Sequence, residues 1–196
     1  MKPSIKQLEK SQLYSEELGI DLNSGKPSEI FKWFLASVLF GARITETIAK
    51  NTYKTFEKYK LLNPKKIIAA GWDFLVNPIM REGGYVRYDG RASDQVLRNC
   101  KTILEKYNGD LNNLHKLARN PKDLERLVDE FYGVGPVTVN IFLRELRTVW
   151  KKADPNPLPR VKKTAKKLGI ELSKYNRKTK KFVRLEAGLI RLRKWD

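Results

Sequence analysis

Apolar residues recur every three or four positions over most of this chain, which is the spacing of the buried face of an α-helix. The first such stripe, residues 30–39, is apolar on most sides, as expected of a helix at the centre of a core. No apolar–polar alternation of period two persists, so the sequence predicts an all-α fold. Further helical stripes run over residues 44–59, 96–107, 124–131, 139–149 and 180–193.

Several residues mark where these helices begin and end. Asn120 followed by Pro121 is typical of an N-cap and a first helical position. Gly109 follows one stripe directly, at a position where a left-handed conformation ends a helix at little cost. Proline and glycine cluster at residues 71–92 and 154–159, and both clusters are predicted to be loops between helices.

The charge of the chain is strongly positive. Forty Lys and Arg face 22 Asp and Glu, a net charge of +18, and residues 151–196 contribute 16 basic and 4 acidic side chains, or +12. Such a field attracts polyanions, and lysines that neutralise phosphates release counterions. The charge therefore favours a nucleic-acid partner over an anionic membrane or a merely soluble surface.

Residue counts exclude several other classes of protein. Cys100 and His115 are each the only residue of their type, so an internal disulfide, a cysteine-held metal and a serine–histidine triad are excluded, and no metal or cofactor is expected. No apolar run reaches the roughly 20 residues of a membrane span, and no apolar stretch follows the first lysines. We expect a cytoplasmic protein that associates with the nucleoid through DNA. His115 is expected to have no role.

The sharpest local pattern is the run FYGVGPVTVN, residues 131–140, in which Gly-Val-Gly-Pro joins two predicted helices. The glycines let the backbone turn tightly and bring N–H groups up to an anion, and Pro136 begins a helix whose dipole attracts negative charge. Val134 is expected to anchor the turn by packing inward. Such a hairpin holds a phosphate without reading a base, although the glycines alternatively serve geometry alone. The predicted phosphate-binding residues are Gly133, Val134, Gly135, Val137 and Thr138.

A known family carries a similar hairpin and helix. The segment FYGVGPVTVNIFLREL resembles those of the helix-hairpin-helix (HhH-GPD) DNA glycosylase superfamily, to which endonuclease III belongs. The family's first core helix and following turn are similar to EIFKWFLASVLFGARITETIAKNTYKTF, and its segment before the hairpin is similar to YDGRASDQVLRNCKTILEKYNGDLNNL. The segment with its essential aspartate resembles ADPNPLPRVKKTAKKLGI. Together these segments cover about residues 28–170, in the family's order and spacing.

The resemblance implies an architecture and a function. A six-helix barrel is expected over residues 26–147, with the helix-hairpin-helix at 121–150, and a second helical lobe from residues 1–25 and 148–196. The cleft between the lobes is expected to receive a nucleotide flipped out of the duplex. The implied protein is a monomeric DNA glycosylase of base-excision repair. Its partner is double-stranded DNA with a damaged or mismatched base, whose N-glycosidic bond it hydrolyses.

The family's catalytic aspartate matches Asp154, whose implied role is to stabilise the charged sugar and position the attacking water. An ungapped count from the hairpin places this aspartate at Pro155, so the match requires a one-residue shift in the proline-rich segment; an ordinary turn or cap aspartate is the alternative. Many relatives carry a nucleophilic lysine where this chain has Val137, which implies a monofunctional enzyme. The four-cysteine iron–sulfur loop of endonuclease III has no counterpart here.

The base pocket is the least specified part of the prediction. Two loops that face the cleft in the family supply the pocket or wedge candidates, and Trp33 and Trp72 are predicted to lie in the core. The candidates are Ala42, Arg43, Glu46, Arg87 and Tyr88.

Three alternatives to this function remain open. The first is a helix-hairpin-helix DNA-binding protein without chemistry. The second is a bifunctional glycosylase and lyase that uses an unaligned lysine, Lys151, Lys152 or Lys163. The third, a helical RNA- or ribosome-associated protein, explains the charge but not the hairpin. The identity of the lesion is not predicted.

Overall fold

The computed structural model describes residues 3–192, which fold into helices without a strand and confirm the all-α prediction. None of the helices in this range is long and apolar enough to cross a membrane. Two short 3-10 turns and a π-helical segment, Leu75–Met80, complete the helical structure. The α-helices are α1 Ile5–Leu8, α2 Tyr14–Glu17, α3 Pro27–Gly41, α4 Glu46–Lys58, α5 Pro64–Phe74, α6 Asp89–Tyr107, α7 Leu111–Leu117, α8 Pro121–Asp129, α9 Pro136–Glu145, α10 Pro159–Lys167 and α11 Lys180–Arg191.

The predicted helix ends agree with the structure where turn chemistry is strong. The Asn120 side chain accepts the Asp123 amide at 3.0 Å, and Pro121 is the first residue of α8. Gly109 follows α6 with a φ of 75°, and its amide donates to the carbonyl of Ile103 at 2.9 Å. The predicted end of the last helix, residue 193, lies outside the described residues.

The prediction of a loop over residues 71–92 is wrong for most of its length. Helical structure continues through residue 82, and the loop before α6 spans only residues 83–88. Gly71 takes a φ of 77°, which lets the chain bend there and continue as a helix. The chain breaks again at Asn77, which is extended at φ −141° before Pro78, but Leu75 and Ile79 on either side are fully buried, so packing keeps the flanking turns helical. The second predicted loop, residues 154–159, is confirmed up to Pro159, because residues 153–158 are not helical and α10 begins at Pro159.

Helix α3 lies at the centre of the core, as its apolar pattern predicts. Trp33 is fully buried, and its indole N–H donates to the carbonyl of Phe142 in α9 at 3.0 Å. At the end of α3, a Cβ built on Gly41 would lie 1.9 Å from the Thr138 hydroxyl oxygen. Only glycine permits this approach, which seats the first turn of α9 directly against α3.

The buried residues form two clusters. The large one surrounds α3 and α9, and the small one lies where α1 and α10 pack on α11. The predicted second lobe of residues 1–25 and 148–196 stays a prediction, and the described part of residues 1–25 contributes to both clusters. Leu8 belongs to the small cluster, whereas Tyr14 belongs to the large one because its ring packs edge-on against Phe40 at 5.3 Å.

Two aromatic residues lie where the sequence did not predict. Trp72 is 47% exposed, not in the core, because its indole N–H donates to the Gly90 carbonyl at the surface, at 3.1 Å. His115 stacks on Trp150 at 5.0 Å and accepts the amide N–H of Lys152 at 3.3 Å. Burial, with the charges of Lys152 and Lys178, lowers its pKa, which favours the neutral acceptor ring. His115 therefore has a structural role.

Candidate nucleic-acid interface

The chain between α8 and α9 forms a tight turn. Gly133 takes a φ of 69°, and an added Cβ there would lie 2.8 Å from the Gln95 amide nitrogen, so glycine is required by both backbone and neighbours. Val134 is 9% exposed, and its side chain anchors the turn inward as predicted. Gly135 is extended at φ −135°, has open space around its Cα, and is the N-cap residue of α9.

The amides of this turn are mostly uncommitted. Val139 is the first residue of α9 whose amide bonds to the backbone, at the Gly135 carbonyl, and the Val134 amide is taken by Phe131. Among the described residues, the Tyr132 amide and four amides at or after Gly133 therefore have no protein acceptor. Clustered amides ahead of a helix N-terminus favour an anion. We call these four the hairpin amides: Gly133, Gly135, Val137 and Thr138.

The five predicted phosphate-binding residues thus divide into three kinds. Gly133, Gly135 and Val137 are exposed or half-buried and offer amides at the surface. Thr138 offers only its amide, because its side chain is buried against Gly41. Val134 offers no amide and acts as the anchor.

Exposed lysines lie on the helix that follows the loop after α9. Helix α10 begins beside the first turn of α9, and lysines occupy its solvent-facing positions. Their charge adds to the field near the hairpin and favours a polyanion there. The exposed lysines are Lys162, Lys163, Lys166 and Lys167.

A cavity of about 430 Å³ opens beside the hairpin. It lies between the corner joining α3 to α4 and the first turns of α9 and α10, and Val137 connects the hairpin to its wall. This volume is in the range of small-ligand sites. Apolar side chains supply most of the lining, with a few polar groups among them. The lining residues are Tyr14, Phe40, Ile44, Thr45, Glu46, Ala49, Val137, Ile141, Arg144, Leu158, Pro159, Arg160 and Ile190.

Glu46 is the carboxylate in this cavity. It begins α4 and accepts hydrogen bonds from Lys50 at 2.6 Å and from the Tyr14 hydroxyl at 3.3 Å. Burial raises the pKa of Glu46, but the hydrogen bond and charge of Lys50, with the charge of Arg191, outweigh burial and hold it below its ordinary value. The cavity therefore contains an ionised carboxylate at neutral pH.

The other pocket and wedge candidates do not line the cavity. Ala42 and Arg43 lie in the turn between α3 and α4, just before the lining residue Ile44, and Arg43 is exposed. Arg87 and Tyr88 lie in the loop before α6, where the Arg87 guanidinium stacks over the Tyr88 ring at 5.1 Å. Tyr88 is 57% exposed and has a φ of 69°. Arg43, Arg87 and Tyr88 thus lie at the surface, where they are compatible with a wedge but not with a pocket wall, whereas Ala42 is half-buried against the large cluster.

The structure places Asp154 outside the lining of this cavity. One carboxylate oxygen accepts from Arg177 at 2.6 Å, and the other faces Nε of the buried Arg147 at 3.5 Å. Arg147 also binds the buried Glu186 and donates to the Pro155 carbonyl at 2.5 Å. Asp154 is therefore held in an ion-pair network at the base of the extended loop.

That loop separates the cavity from a second depression. Leu158 and Pro159 line both, and the Asn140 side chain of α9 donates to the Asn156 carbonyl at 2.8 Å. Glu125 lines the second depression only, and burial together with the charge of Asp154 raises the pKa of Glu125. The loop that carries Asp154 thus lies against the hairpin helix.

Sequence reasoning missed Tyr14 and Arg144 in the cavity wall. Tyr14 precedes the resembling segments, and Arg144 lies within the segment that resembles the family's hairpin and following helix, where the resemblance assigned it no role. Neither residue had a local signal. A tertiary contact brings them together: the carboxylate of the buried Glu145, which follows Arg144, accepts hydrogen bonds from the amides of Tyr14 and Ser15 at 3.1 and 3.0 Å.

Within residues 3–192, His, Cys, Asp and Glu side chains do not gather into a group of three or more that could hold a metal. No protein-family model matches this chain, and no curated protein matches it significantly. Its function must therefore be argued from the site and from the resemblance of its segments.

Proposed function

We propose that this protein is a DNA glycosylase that binds duplex DNA through its hairpin and hydrolyses the bond between one abnormal base and its sugar. The observation that carries the proposal is the adjacency of the hairpin amides and the 430 Å³ cavity, which share Val137. A phosphate on the amides leaves the attached nucleotide beside an opening large enough for a base. The quoted similarity to the HhH-GPD superfamily supports the same function.

Binding in this proposal is independent of sequence. The hairpin amides contact a phosphate, which positions the protein without reading bases. The +18 charge, with the exposed lysines of α10, supplies the remaining affinity for the duplex. Exposed Arg43, Arg87 and Tyr88 are proposed to fill the gap that the flipped base leaves.

The proposed chemistry takes place at the mouth of the cavity. Water forms the new C–O bond at the sugar carbon, the C–N bond breaks, and the base leaves with a proton. Asp154 is proposed to stabilise the positive sugar and accept the proton of the water. Val137 cannot form a Schiff base, so the product is an abasic site in an intact strand.

A second candidate function has a specific observation in its favour. Both oxygens of Asp154 face arginines, Arg147 and Arg177, and Asp154 does not line the cavity. A carboxylate held in these two ion pairs has a structural role, which favours a DNA-binding protein without catalytic activity.

Excision on a panel of duplexes separates the two candidates. Each duplex carries one abnormal base: uracil, thymine opposite guanine, an oxidised base or an alkylated base. Strand breaks that appear only after hot alkali are expected for a monofunctional glycosylase. Breaks without alkali, with borohydride trapping, would instead identify a lysine lyase. Binding to every duplex with no excision would support the second candidate.

Gly135→Ala is expected to weaken binding to every duplex about tenfold, the loss of one hydrogen bond to a charged phosphate. The added methyl points into open space, so folding is not affected, but it occupies the approach of the phosphate. Binding isotherms with damaged and undamaged duplexes measure the effect. The control is Gly109→Ala, outside the hairpin, which is expected to destabilise the fold by about 1–2 kcal/mol, because its φ of 75° is strained for alanine, and to leave duplex affinity unchanged.

The two glycine variants separate binding from folding. If Gly135→Ala binds as tightly as the unaltered protein, the hairpin amides are not a phosphate site. If it lowers affinity for damaged duplexes only, the hairpin contacts the lesion and the proposed division between phosphate and base is wrong.

A further inference from the structure

Arg144 carries a buried charge in the wall of the cavity. It is 3% exposed, lines the cavity, and makes no hydrogen bond or short ion pair within residues 3–192. Its contact is with the face of Tyr14, whose ring centre lies 5.2 Å from the guanidinium carbon. Buried guanidinium groups normally have acceptors, because a buried donor without a partner loses its hydrogen bonds to water and gains none in return. A ligand in the cavity would supply the missing acceptor.

The groups around Arg144 define what that ligand can be. Glu46 is an ionised acceptor in the same wall, and the remaining lining is chiefly apolar. Arg160 also lines the cavity, whereas Arg191, which stacks on Tyr14 at 4.1 Å, lies outside the lining and is paired with Glu17 at 2.9 Å. The lining therefore carries two arginines and one carboxylate.

We infer that the cavity selects a neutral base bearing a carbonyl next to a ring N–H, as in oxidised or deaminated bases. The inference rests on the proposed function and names its class of substrate. The Arg144 fork donates to the carbonyl oxygen, as arginine does to carbonyl-bearing bases, and Glu46 accepts the ring N–H. A cationic alkylated adenine is disfavoured, because it offers Arg144 no carbonyl oxygen and its charge meets those of Arg144 and Arg160.

Equilibrium binding tests this selection without requiring catalysis. The duplexes carry carbocyclic nucleotides, whose base cannot be released: uracil, hypoxanthine or oxoguanine, each with a carbonyl beside N–H, then neutral ethenoadenine without a carbonyl, and cationic methyladenine. The carbonyl-bearing set is expected to bind about tenfold more tightly than the other two, the value of one charge-assisted hydrogen bond.

Arg144→Met is expected to abolish that preference while affinity for undamaged duplex is unchanged. The variant removes an unpaired buried charge and keeps an apolar chain, so it is expected to fold. Arg144→Lys keeps the charge but loses the fork, and is expected to retain only part of the preference. The matched control is Arg119→Met, an exposed arginine away from the cavity, which is expected to keep the preference intact.

The outcomes separate this inference from the proposed function. Equal binding of all modified duplexes, or a preference that survives Arg144→Met, overturns the inference. Excision of methyladenine with no preference for carbonyl-bearing bases leaves the glycosylase proposal intact and the inference wrong. The protein could also show a preference that depends on Arg144 and yet excise none of these bases from natural duplexes. That result supports the inference about the cavity and rules out the proposed glycosylase activity.

Discussion

Asp154→Asn is expected to lower the rate of base excision about a thousandfold, while affinity for the duplex stays unchanged. A fixed charge beside a developing oxocarbenium ion contributes on this scale, and an asparagine side chain has neither the charge nor the basicity. Asparagine keeps the shape of aspartate and still accepts a hydrogen bond from Arg177, which is bound at 2.6 Å. Single-turnover excision measures the chemical step, and binding isotherms measure affinity.

Two measurements make this result specific. Asp129→Asn removes an exposed carboxylate at the end of α8, near the hairpin, and is expected to leave excision unchanged. The thermal midpoint of Asp154→Asn reports whether lost activity is lost folding. The loss is expected to be about 1 kcal/mol or less, since Glu186 still neutralises Arg147. Normal excision by a folded Asp154→Asn protein would remove this residue from the mechanism.

Glu186→Leu is expected to lower the free energy of unfolding by about 3–5 kcal/mol, the largest effect on stability foreseen for this chain. Arg147 and Glu186 are both fully buried and paired, one in the turn after α9 and one in α11. Removing the carboxylate leaves the guanidinium with Asp154 at 3.5 Å and one backbone carbonyl. Urea denaturation followed by circular dichroism measures the change.

The double variant Arg147→Met with Glu186→Leu tests the physical cause. Replacing both charges by apolar side chains removes the unpaired charge, so the double variant is expected to be more stable than Glu186→Leu alone. If instead the two losses simply add, the buried pair is not coupled. A Glu186→Leu protein within about 0.5 kcal/mol of the unaltered chain would mean that the pair contributes nothing measurable.

This pair also connects stability to the candidate site. Arg147 donates to the Pro155 carbonyl and faces Asp154, so the same buried guanidinium holds the loop over residues 153–158. Glu186→Leu is therefore expected to affect excision as well as folding, whereas Asp154→Asn affects excision mainly. Measuring both properties for both variants separates a loop held in place from a residue that acts directly.

Local chemistry explains which elements were predicted correctly. The Asn120 cap, the glycine after α6 and the inward Val134 each depend on a few neighbouring residues, so a short stretch of sequence is enough to predict them. The apolar repeat of α3 likewise reports its own burial. The prediction of a loop after Gly71 was wrong because it considered only local residues. Glycine and proline do break the helix there, but burial of Leu75 and Ile79 against other helices keeps the turns around the breaks helical.

Distant contacts explain what was missed in the site. Tyr14 reaches the cavity only because Glu145, 131 residues away, binds its amide. Arg144 is left without an acceptor within residues 3–192 by the way the helices pack, which no sequence motif records. The ion pairs of Asp154 with Arg147 and Arg177 also depend on the tertiary fold. The catalytic role of Asp154 stays a prediction, which the Asp154→Asn experiment tests.

The amino-acid pattern alone determined that this protein is all helical, strongly basic, and turned at Gly133 by a segment whose amides suit a phosphate, because periodicity, charge and turn chemistry act over a few residues. Tertiary structure alone decided which polar groups meet beside that turn. A cavity with Glu46 and an unpaired Arg144, and an aspartate tied to two arginines, arise where helices distant in sequence pack together, and packing is a property of the whole chain.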